Sequence, residues 1–143
     1  MAGSDVKAVF ITADTQALDA DGISAAAAVG EDASLTIGGA LASGGSCTFD
    51  AGRIVTILSA GDDSGISFTV AGTDVNGDSQ TESITGANAG TATGAKYFET
   101  VTAITAVGDP AGNVSAGINA SAGDVVFEGR VRLQGLSIVC SGT

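Results

Sequence analysis

The chain contains no histidine, no tryptophan and only one tyrosine, and each absence removes a kind of chemistry. Without histidine, the Ser-His-Asp and Cys-His arrangements of nucleophilic enzymes cannot form, and the usual zinc ligand sets are incomplete. The sequence has neither a GxxxxGKS/T phosphate loop nor a GxGxxG segment opening a helix. It also offers no aromatic platform for a sugar beside paired carboxylates. We therefore predict a non-enzymatic protein with no catalytic, cofactor-binding or metal-binding residues.

Positive charge is also scarce. Five basic residues stand against sixteen acidic ones, and the formal net charge is −11. Phosphate contacts require clustered lysine and arginine, so nucleic acid is not expected as a partner. An anionic membrane surface is not expected for the same reason. The acidity is expected mainly to keep an alanine- and glycine-rich surface soluble, and a surface that holds cations is the alternative.

Targeting signals and long apolar runs are missing as well. No charged start followed by an apolar stretch predicts a signal peptide, and no run of about eighteen apolar residues predicts a transmembrane helix. The two cysteines, Cys47 and Cys140, are far apart in sequence. Without a secretory signal we expect free buried thiols, and a disulfide between them is the alternative.

The residues that are abundant are small. The chain has 22 glycines, and much of its 44% hydrophobic content is alanine. Such a core buries little surface per residue, so the chain is expected to need a partner or further copies of itself for stability. The length of 143 residues predicts a single β domain over residues 1–143. Residues 1–5 are a candidate arm, and residues 13–45 are predicted to be rich in loops.

Strand patterns recur along the chain, whereas helical periodicity is almost absent. About ten short strands between glycine-rich turns predict an all-β fold, either an antiparallel β-sandwich or a jelly-roll-like barrel. Arg53–Ser59 is apolar on both faces, and Lys96–Val107 is long enough to bend or to split. Ile23–Val29 is the one candidate for a short helix. The predicted strands are Val6–Thr12, Ser34–Ile37, Ser46–Phe49, Arg53–Ser59, Ile66–Thr73, Ser79–Thr85, Lys96–Val107, Asn113–Ile118, Asp124–Leu133 and Leu136–Cys140.

The acidic stretch Thr73–Glu82 could be a calcium loop or a hairpin turn. An EF-hand loop counted from Asp74 would need glycine and glutamate where the chain has Ser79 and Thr85, so that motif fails. A two-residue turn would send Phe68 and Ile84 to opposite faces of the hairpin. A three-residue loop, Val75-Asn76-Gly77, places them opposite each other, so that both enter one core.

The three-residue loop is therefore the prediction, with Asp74 paired to Asp78 and Gly77 in the left-handed conformation of a bulge. The alternative is a cation held between the two carboxylates. Gly61-Asp62-Asp63-Ser64-Gly65 is interpreted in the same way, as a tight loop first and a cation site second.

The succession from Arg53 to Ile118 resembles a segment found in structural proteins of tailed bacteriophages. The resemblance covers less than half of the chain and consists mainly of turns and strands. It lies in Ser59-Ala60-Gly61-Asp62-Asp63, in Gly72-Thr73-Asp74 followed by Gly77, in Glu82-Ser83-Ile84-Thr85-Gly86, in Lys96-Tyr97-Phe98, and in Ala111-Gly112-Asn113-Val114-Ser115.

The resemblance implies a virion β-sandwich protein, and among these a capsid decoration (cement) protein fits best. Such proteins are small, rich in β-structure and often trimeric, and they bind the major capsid protein on the outer surface of the head. The implied partners are further copies of this chain, as a homotrimer, and the major capsid protein. The implied location is the outer capsid surface, with assembly in the host cytoplasm. The alternatives are a tail, neck or fibre component, or a carbohydrate-binding surface module.

Three places are candidate contacts in an assembly. The segment through Thr12 is either an arm or an edge strand. Tyr97 and Phe98 are predicted to lie in the core, with an interface as the alternative. Arg130 and Arg132 share a predicted strand face with Glu128, either solvated or paired with acidic groups of a neighbouring subunit.

Reversing Arg130 and Arg132 to glutamate together is expected to leave the fold intact but to weaken assembly, because a neighbour's acidic groups would then be repelled. Light scattering measures the oligomer mass. An unchanged mass would show that the two arginines are merely solvated.

Overall fold

The structure is a computed structural model that describes residues 16–123, and these residues form one antiparallel sheet of seven strands. The fold is all-β, of the sandwich or barrel type, as the strand patterns predict. The described residues contain no helix, and so none that could cross a membrane. The strands are β1 (Asp19–Ala28), β2 (Ala42–Ser43), β3 (Ser46–Ser59), β4 (Ser67–Thr73), β5 (Ser79–Thr85), β6 (Thr91–Val107) and β7 (Asn113–Gly123).

The order across the sheet is β1-β7-β3-β6-β4-β5, and β2 pairs with the start of β3. Strand β3 lies between β7 and β6. In its 53–59 segment the face that carries Val55 and Ile57 is buried, but on the other face Leu58 is exposed, so the predicted burial of both faces is only partial. The two strands predicted at Ser46–Phe49 and Arg53–Ser59 are one strand, interrupted by a register shift between Thr48 and Arg53. A bulge bends a strand and increases its twist, which explains how one long strand serves two regions of the sheet.

Strand β6 also serves two partners. Its first part, up to Val101, pairs with β3, and its last part, from Thr100, pairs with β4. Segment 33–35 also joins this last part, because the Leu35 N–H donates to the Ile104 carbonyl and the Ala106 N–H donates to the Ala33 carbonyl. The long strand predicted at Lys96–Val107 is thus continuous, with a change of partner near its middle.

The core is small and made mostly of β-branched side chains, which suit a pleated sheet that is covered on one face. Alternate residues of the central strands point into it. Its buried members are Ile23, Leu35, Cys47, Phe49, Val55, Ile57, Phe68, Val70, Ile84, Phe98, Val101, Ile104, Ala106, Val114, Ala116 and Ile118.

The β4–β5 hairpin confirms the predicted register. Phe68 lies opposite Ile84, and both are buried. The Asp74 N–H donates to the Asp78 carbonyl at 2.9 Å, which closes the three-residue loop. Gly77 has φ +82°, the left-handed value expected at this position. The demand that both apolar side chains enter one core therefore selects the register.

The helix considered for Ile23–Val29 does not form, and these residues belong mostly to β1. Ile23 and Ser24 are buried, and Ala27 and Ala28 pair with β7. Pairing with a neighbouring strand outweighs the helix preference of four alanines, because propensity is a weak term compared with tertiary contacts.

The remaining sequence predictions differ in outcome. Segment Ser34–Ile37 contributes one bridge, from Ser34 to Thr105, instead of a strand. Residues 29–41 have no regular strand, in accordance with the loop-rich prediction, but β1 occupies the segment before them. Outside the described residues lie the predicted arm 1–5, the predicted strands Val6–Thr12, Asp124–Leu133 and Leu136–Cys140, and the side chains Glu128, Arg130, Arg132 and Cys140.

Candidate assembly surface

Within residues 16–123, no three histidine, cysteine or acidic side chains are grouped so that they could hold a metal ion. The hairpin loop uses its carboxylate in another way. The Asp74 Oδ1 accepts hydrogen bonds from the Asn76 and Asp78 backbone N–H groups, at 2.9 and 3.0 Å. This carboxylate therefore stabilises its own turn, as aspartate commonly does in turns.

The loop Gly61–Gly65 is held in a similar way. The Asp62 Oδ1 accepts from the Ser64 hydroxyl at 2.7 Å and from the Ser64 N–H at 3.2 Å. These hydrogen bonds stabilise the charged carboxylate and lower the pKa of Asp62. The tight-loop interpretation accounts for both contacts.

Asp63, the next residue, joins three loops at one end of the sheet. Its side chain is fully buried, and its Oδ1 accepts from the Ala111 N–H at 2.7 Å. Its own N–H donates to the Ala87 carbonyl, and its carbonyl accepts from the Ile66 N–H. The Oδ2 atom is buried without a hydrogen-bond partner among the described residues. Asp63 is thus a structural link between the β3–β4, β5–β6 and β6–β7 connections.

Replacing Asp63 with alanine is expected to destabilise the protein by about 2 kcal/mol, because the Ala111 N–H loses its acceptor and a buried side chain that links three loops is removed. Urea unfolding followed by circular dichroism measures the loss. Asp63→Asn keeps a carbonyl acceptor at this place and is the matched control, with a smaller expected loss. Equal unfolding midpoints for Asp63→Ala and the unmodified chain would contradict the structural role.

An ion pair between a buried arginine and a partly exposed aspartate lies at the bulge of β3. Arg53 is fully buried, and its Nε and Nη2 donate to Asp50 Oδ1 at 3.0 and 2.9 Å. Asp50 Oδ2 also accepts from the Gln16 N–H at 3.0 Å. Burial opposes the charged form of Asp50, but the hydrogen bonds from Gln16 and Arg53 outweigh it and hold the pKa of Asp50 below its ordinary value. Asp50 therefore holds both Arg53 and the backbone of Gln16.

The sequence analysis did not predict this pair. Residues three apart on a straight strand point to opposite faces, so Asp50 and Arg53 could not meet there. The register shift between Thr48 and Arg53 brings them together. The available signal was an arginine at the start of an otherwise apolar strand, since a buried arginine requires a partner.

Tyr97 and Phe98, both predicted to lie in the core, point in opposite directions. Phe98 is buried as predicted, but Tyr97 is 39% exposed, so the core prediction for Tyr97 is wrong. Successive side chains on a strand point to opposite faces, so only one of the two can enter the core. A side chain at Gly123 would overlap the Tyr97 ring, which indicates that the ring lies close against that backbone.

Cys47 is a free thiol in the core, as expected, and burial raises its pKa. The neutral thiol therefore packs as a small apolar group.

The two terminal strands of the sheet differ in how their edges are protected. Strand β5 lies alongside the first part of β6 and covers part of it with side chains. Glu82 Oε1 accepts from the Ala95 N–H at 2.6 Å, and Gln80 Nε2 donates to the Tyr97 carbonyl at 2.8 Å. Lys96 Nζ donates to the Thr81 carbonyl at 2.8 Å. Side chains of β5 and β6 thus form hydrogen bonds with backbone groups of the other strand, although the two strands do not pair with each other.

Strand β1, at the other end of the sheet, changes character along its length. The carbonyls of Gly22 and Ile23 accept hydrogen bonds from segment 38–41. From Ala25 to Ala28, every residue is exposed, and among the described residues β7 is their only strand partner. We call Ala25–Ala28 the open edge. It contains no charged residue and no proline. Charged residues and proline are what usually protect such an edge from pairing with another chain.

No protein-family model, no curated protein and no solved structure matches this chain.

Proposed function

We propose that this chain is a non-enzymatic virion structural protein, a capsid decoration protein that binds the major capsid protein on the outside of a bacteriophage head. The observation that carries the proposal is the open edge Ala25–Ala28, an exposed strand edge without protective charges. Exposed edges pair readily with other chains, so a protein that retains one is suited to assembly. The resemblance of residues 53–118 to virion proteins selects the kind of assembly.

The small core supports the same proposal. The buried side chains are mainly valine, isoleucine and alanine, and the bulky core side chains are few. Contacts with neighbouring subunits would add buried surface that this domain does not provide alone. The net charge of −11 would at the same time keep the free protein from aggregating before assembly.

The test uses heads of the encoding phage prepared without this protein. Purified chain is added, and bound protein is measured after sedimentation. We expect saturable binding and an increase in the temperature at which the heads release their DNA, because a ligand that binds only the assembled state stabilises it. Native heads, with their sites already occupied, are the matched control and should bind none.

Binding to tails, necks or fibres instead of heads would favour the alternative virion location. Binding to neither, together with a positive glycan array, would favour a carbohydrate-binding module, for which the half-exposed Tyr97 is the available aromatic side chain among the described residues.

A further inference from the structure

Two polar side chains are buried at the loop end of the sheet with an atom that has no hydrogen-bond partner. Ser59 is 1% exposed and Asp63 is fully buried. Neither the Ser59 hydroxyl nor the Asp63 Oδ2 atom is bonded to any of residues 16–123. An unpaired buried polar atom destabilises the folded state, so native proteins keep few of them. Each of these two oxygens therefore requires a partner that residues 16–123 do not supply.

The two side chains approach the same part of the fold. Ser59 is the last residue of β3 and pairs with Val114, which is also buried. Residues that lie opposite each other in an antiparallel pair share a face of the sheet, so the Ser59 hydroxyl points to the core side, like Val114. Asp63 reaches the Ala111 N–H with its Oδ1 atom at 2.7 Å, three residues before Val114. Both oxygens thus lie beside the start of β7, on the buried side.

The surroundings of Asp63 are closed to solvent. A side chain added at Gly86 would overlap both the Asp63 Cβ atom and the ring of Phe68, so the aspartate lies next to a buried aromatic side chain. A side chain added at Gly61 would overlap the Ala111 carbonyl, so the loop before Asp63 lies directly against the β6–β7 connection. A partner for the Oδ2 atom must therefore be small and enclosed.

Protein groups of the described chain do not fill this role. The two oxygens are not hydrogen-bonded to each other. The basic residues within 16–123 are Arg53 and Lys96, which are bonded to Asp50 and to the Thr81 carbonyl. Calcium takes six to eight oxygen ligands, whereas no three acidic side chains of the described residues are grouped around a metal position.

We propose that one ordered water molecule binds between Ser59 and Asp63. The Ser59 hydroxyl donates to the water oxygen, and the water donates to Asp63 Oδ2. Buried water typically bridges polar groups that would otherwise be unpaired. With Oδ1 held by the Ala111 N–H, both carboxylate oxygens then have a partner. The water joins the end of β3 to the loops that Asp63 already links, and this role is independent of the proposed function.

A crystal structure that shows ordered water tests the proposal. In the unmodified chain we expect one density peak at about 2.6–3.0 Å from both Ser59 Oγ and Asp63 Oδ2. Ser59→Ala removes one of the two partners, so the peak should be lost. Ser64→Ala is the matched control, because its hydroxyl belongs to the same loop but is exposed and bonded to Asp62. The control should keep the peak.

Four crystallographic results would overturn the proposal. The unmodified chain could show no peak, or a direct hydrogen bond between Ser59 and Asp63. The peak could persist at full occupancy in Ser59→Ala. It could also have six or more oxygen neighbours at about 2.3–2.6 Å, which would identify a cation instead of water.

A cycle of variants gives an independent measurement in solution. Ser59→Ala, Asp63→Ala and the double variant are compared by their urea unfolding midpoints, after circular dichroism confirms that each is folded. Two side chains that share one water are coupled, so the shift of the double variant should be smaller than the sum of the two single shifts. Equal values would contradict the shared water.

The control cycle combines Ser59→Ala with Thr73→Ala. Thr73 lies at the far end of β4 from the 61–65 loop, and its hydroxyl is bonded to Thr100 at 2.7 Å. The length of β4, seven residues, separates the two levels by about 20 Å at about 3.3 Å per residue. Shifts at such a distance should add. The same coupling in both cycles would show that the effect does not come from a water at Asp63.

Discussion

Replacing Asp50 with alanine is expected to destabilise the domain by about 3 kcal/mol, because it leaves the buried Arg53 guanidinium without its counter-charge. Arg53 is fully buried and Asp50 is about one-third exposed, so we place the loss at the lower end of the usual range. Urea unfolding at neutral pH measures it. Asp50→Asn retains a hydrogen-bond acceptor, so it should lose less stability than Asp50→Ala.

A double variant, Asp50→Asn with Arg53→Met, provides the control. It removes both charges and keeps the volume of the buried side chain, so most of the lost stability should return. If the double variant were as unstable as Asp50→Ala, the shape of the bulge and not the buried charge would be the cause.

The contribution of this pair depends on pH in a defined direction. The pKa of Asp50 is lowered from its ordinary value of 3.8, so the folded state holds the proton less tightly than the unfolded state does. The stabilisation is therefore present above the unfolded pKa and is lost as pH falls through the lowered folded pKa. The difference in the free energy of unfolding between the unmodified chain and Asp50→Ala should therefore shrink over that acidic range. It should stay constant from pH 5 to 8.

Replacing Gly117 with alanine is expected to have a comparable effect, about 3 kcal/mol. A methyl group at this position would overlap the Asp19 carbonyl and the Ala20 backbone, which cross directly over it. Backbone atoms cannot rotate away as a flexible side chain can, so β1 would have to move off β7. Thermal unfolding of Gly117→Ala measures the loss.

Gly30→Ala is the matched control. No atom lies within 4 Å of the position its methyl group would occupy, and the backbone there is not left-handed. The substitution should be neutral or stabilising by up to about 1 kcal/mol, through the unfolded state. If the two variants melted at the same temperature, the close crossing of β1 over Gly117 would be refuted.

The effect of Gly117→Ala should also extend to assembly. Gly117 lies under the first residues of β1, and the open edge lies farther along the same strand. Displacing β1 would also disturb the open edge, from which the proposed assembly role is argued. Light scattering of Gly117→Ala at a temperature where the domain is still folded should therefore show a reduced oligomer mass.

The register of the β4–β5 hairpin could be predicted from sequence because the information is local. Phe68 and Ile84 must reach the same core, and only the loop Val75-Asn76-Gly77 allows this. The strand character of Arg53–Ser59 was equally clear from its apolar run, although the structure fully buries only one of its two faces. The tight loop at Gly61–Gly65 also follows from its own residues, as the contacts of Asp62 with Ser64 demonstrate.

The alanine run in β1 shows where sequence reasoning fails. Alanine favours a helix slightly, and Ile23–Val29 has no alternation that would indicate a strand. Whether this run forms a helix or a strand is decided by β7, which lies about ninety residues later in the sequence. Strand β7 supplies the pairing partners of Ala27 and Ala28. Tyr97 is a similar case, because its exposure depends on which face of β6 the core occupies.

The sequence by itself determined an acidic, β-rich chain with a small core, no histidine chemistry, and turns placed by glycine, asparagine and aspartate, because these properties depend on composition and on neighbouring residues. Only the tertiary structure decided that β6 changes partner from β3 to β4, that Asp50 and Arg53 meet at a bulge, that Asp63 joins three loops, and that Ala25–Ala28 lies at an edge. Each of these depends on contacts between distant parts of the chain, which residue order specifies only through the packing of the whole sheet.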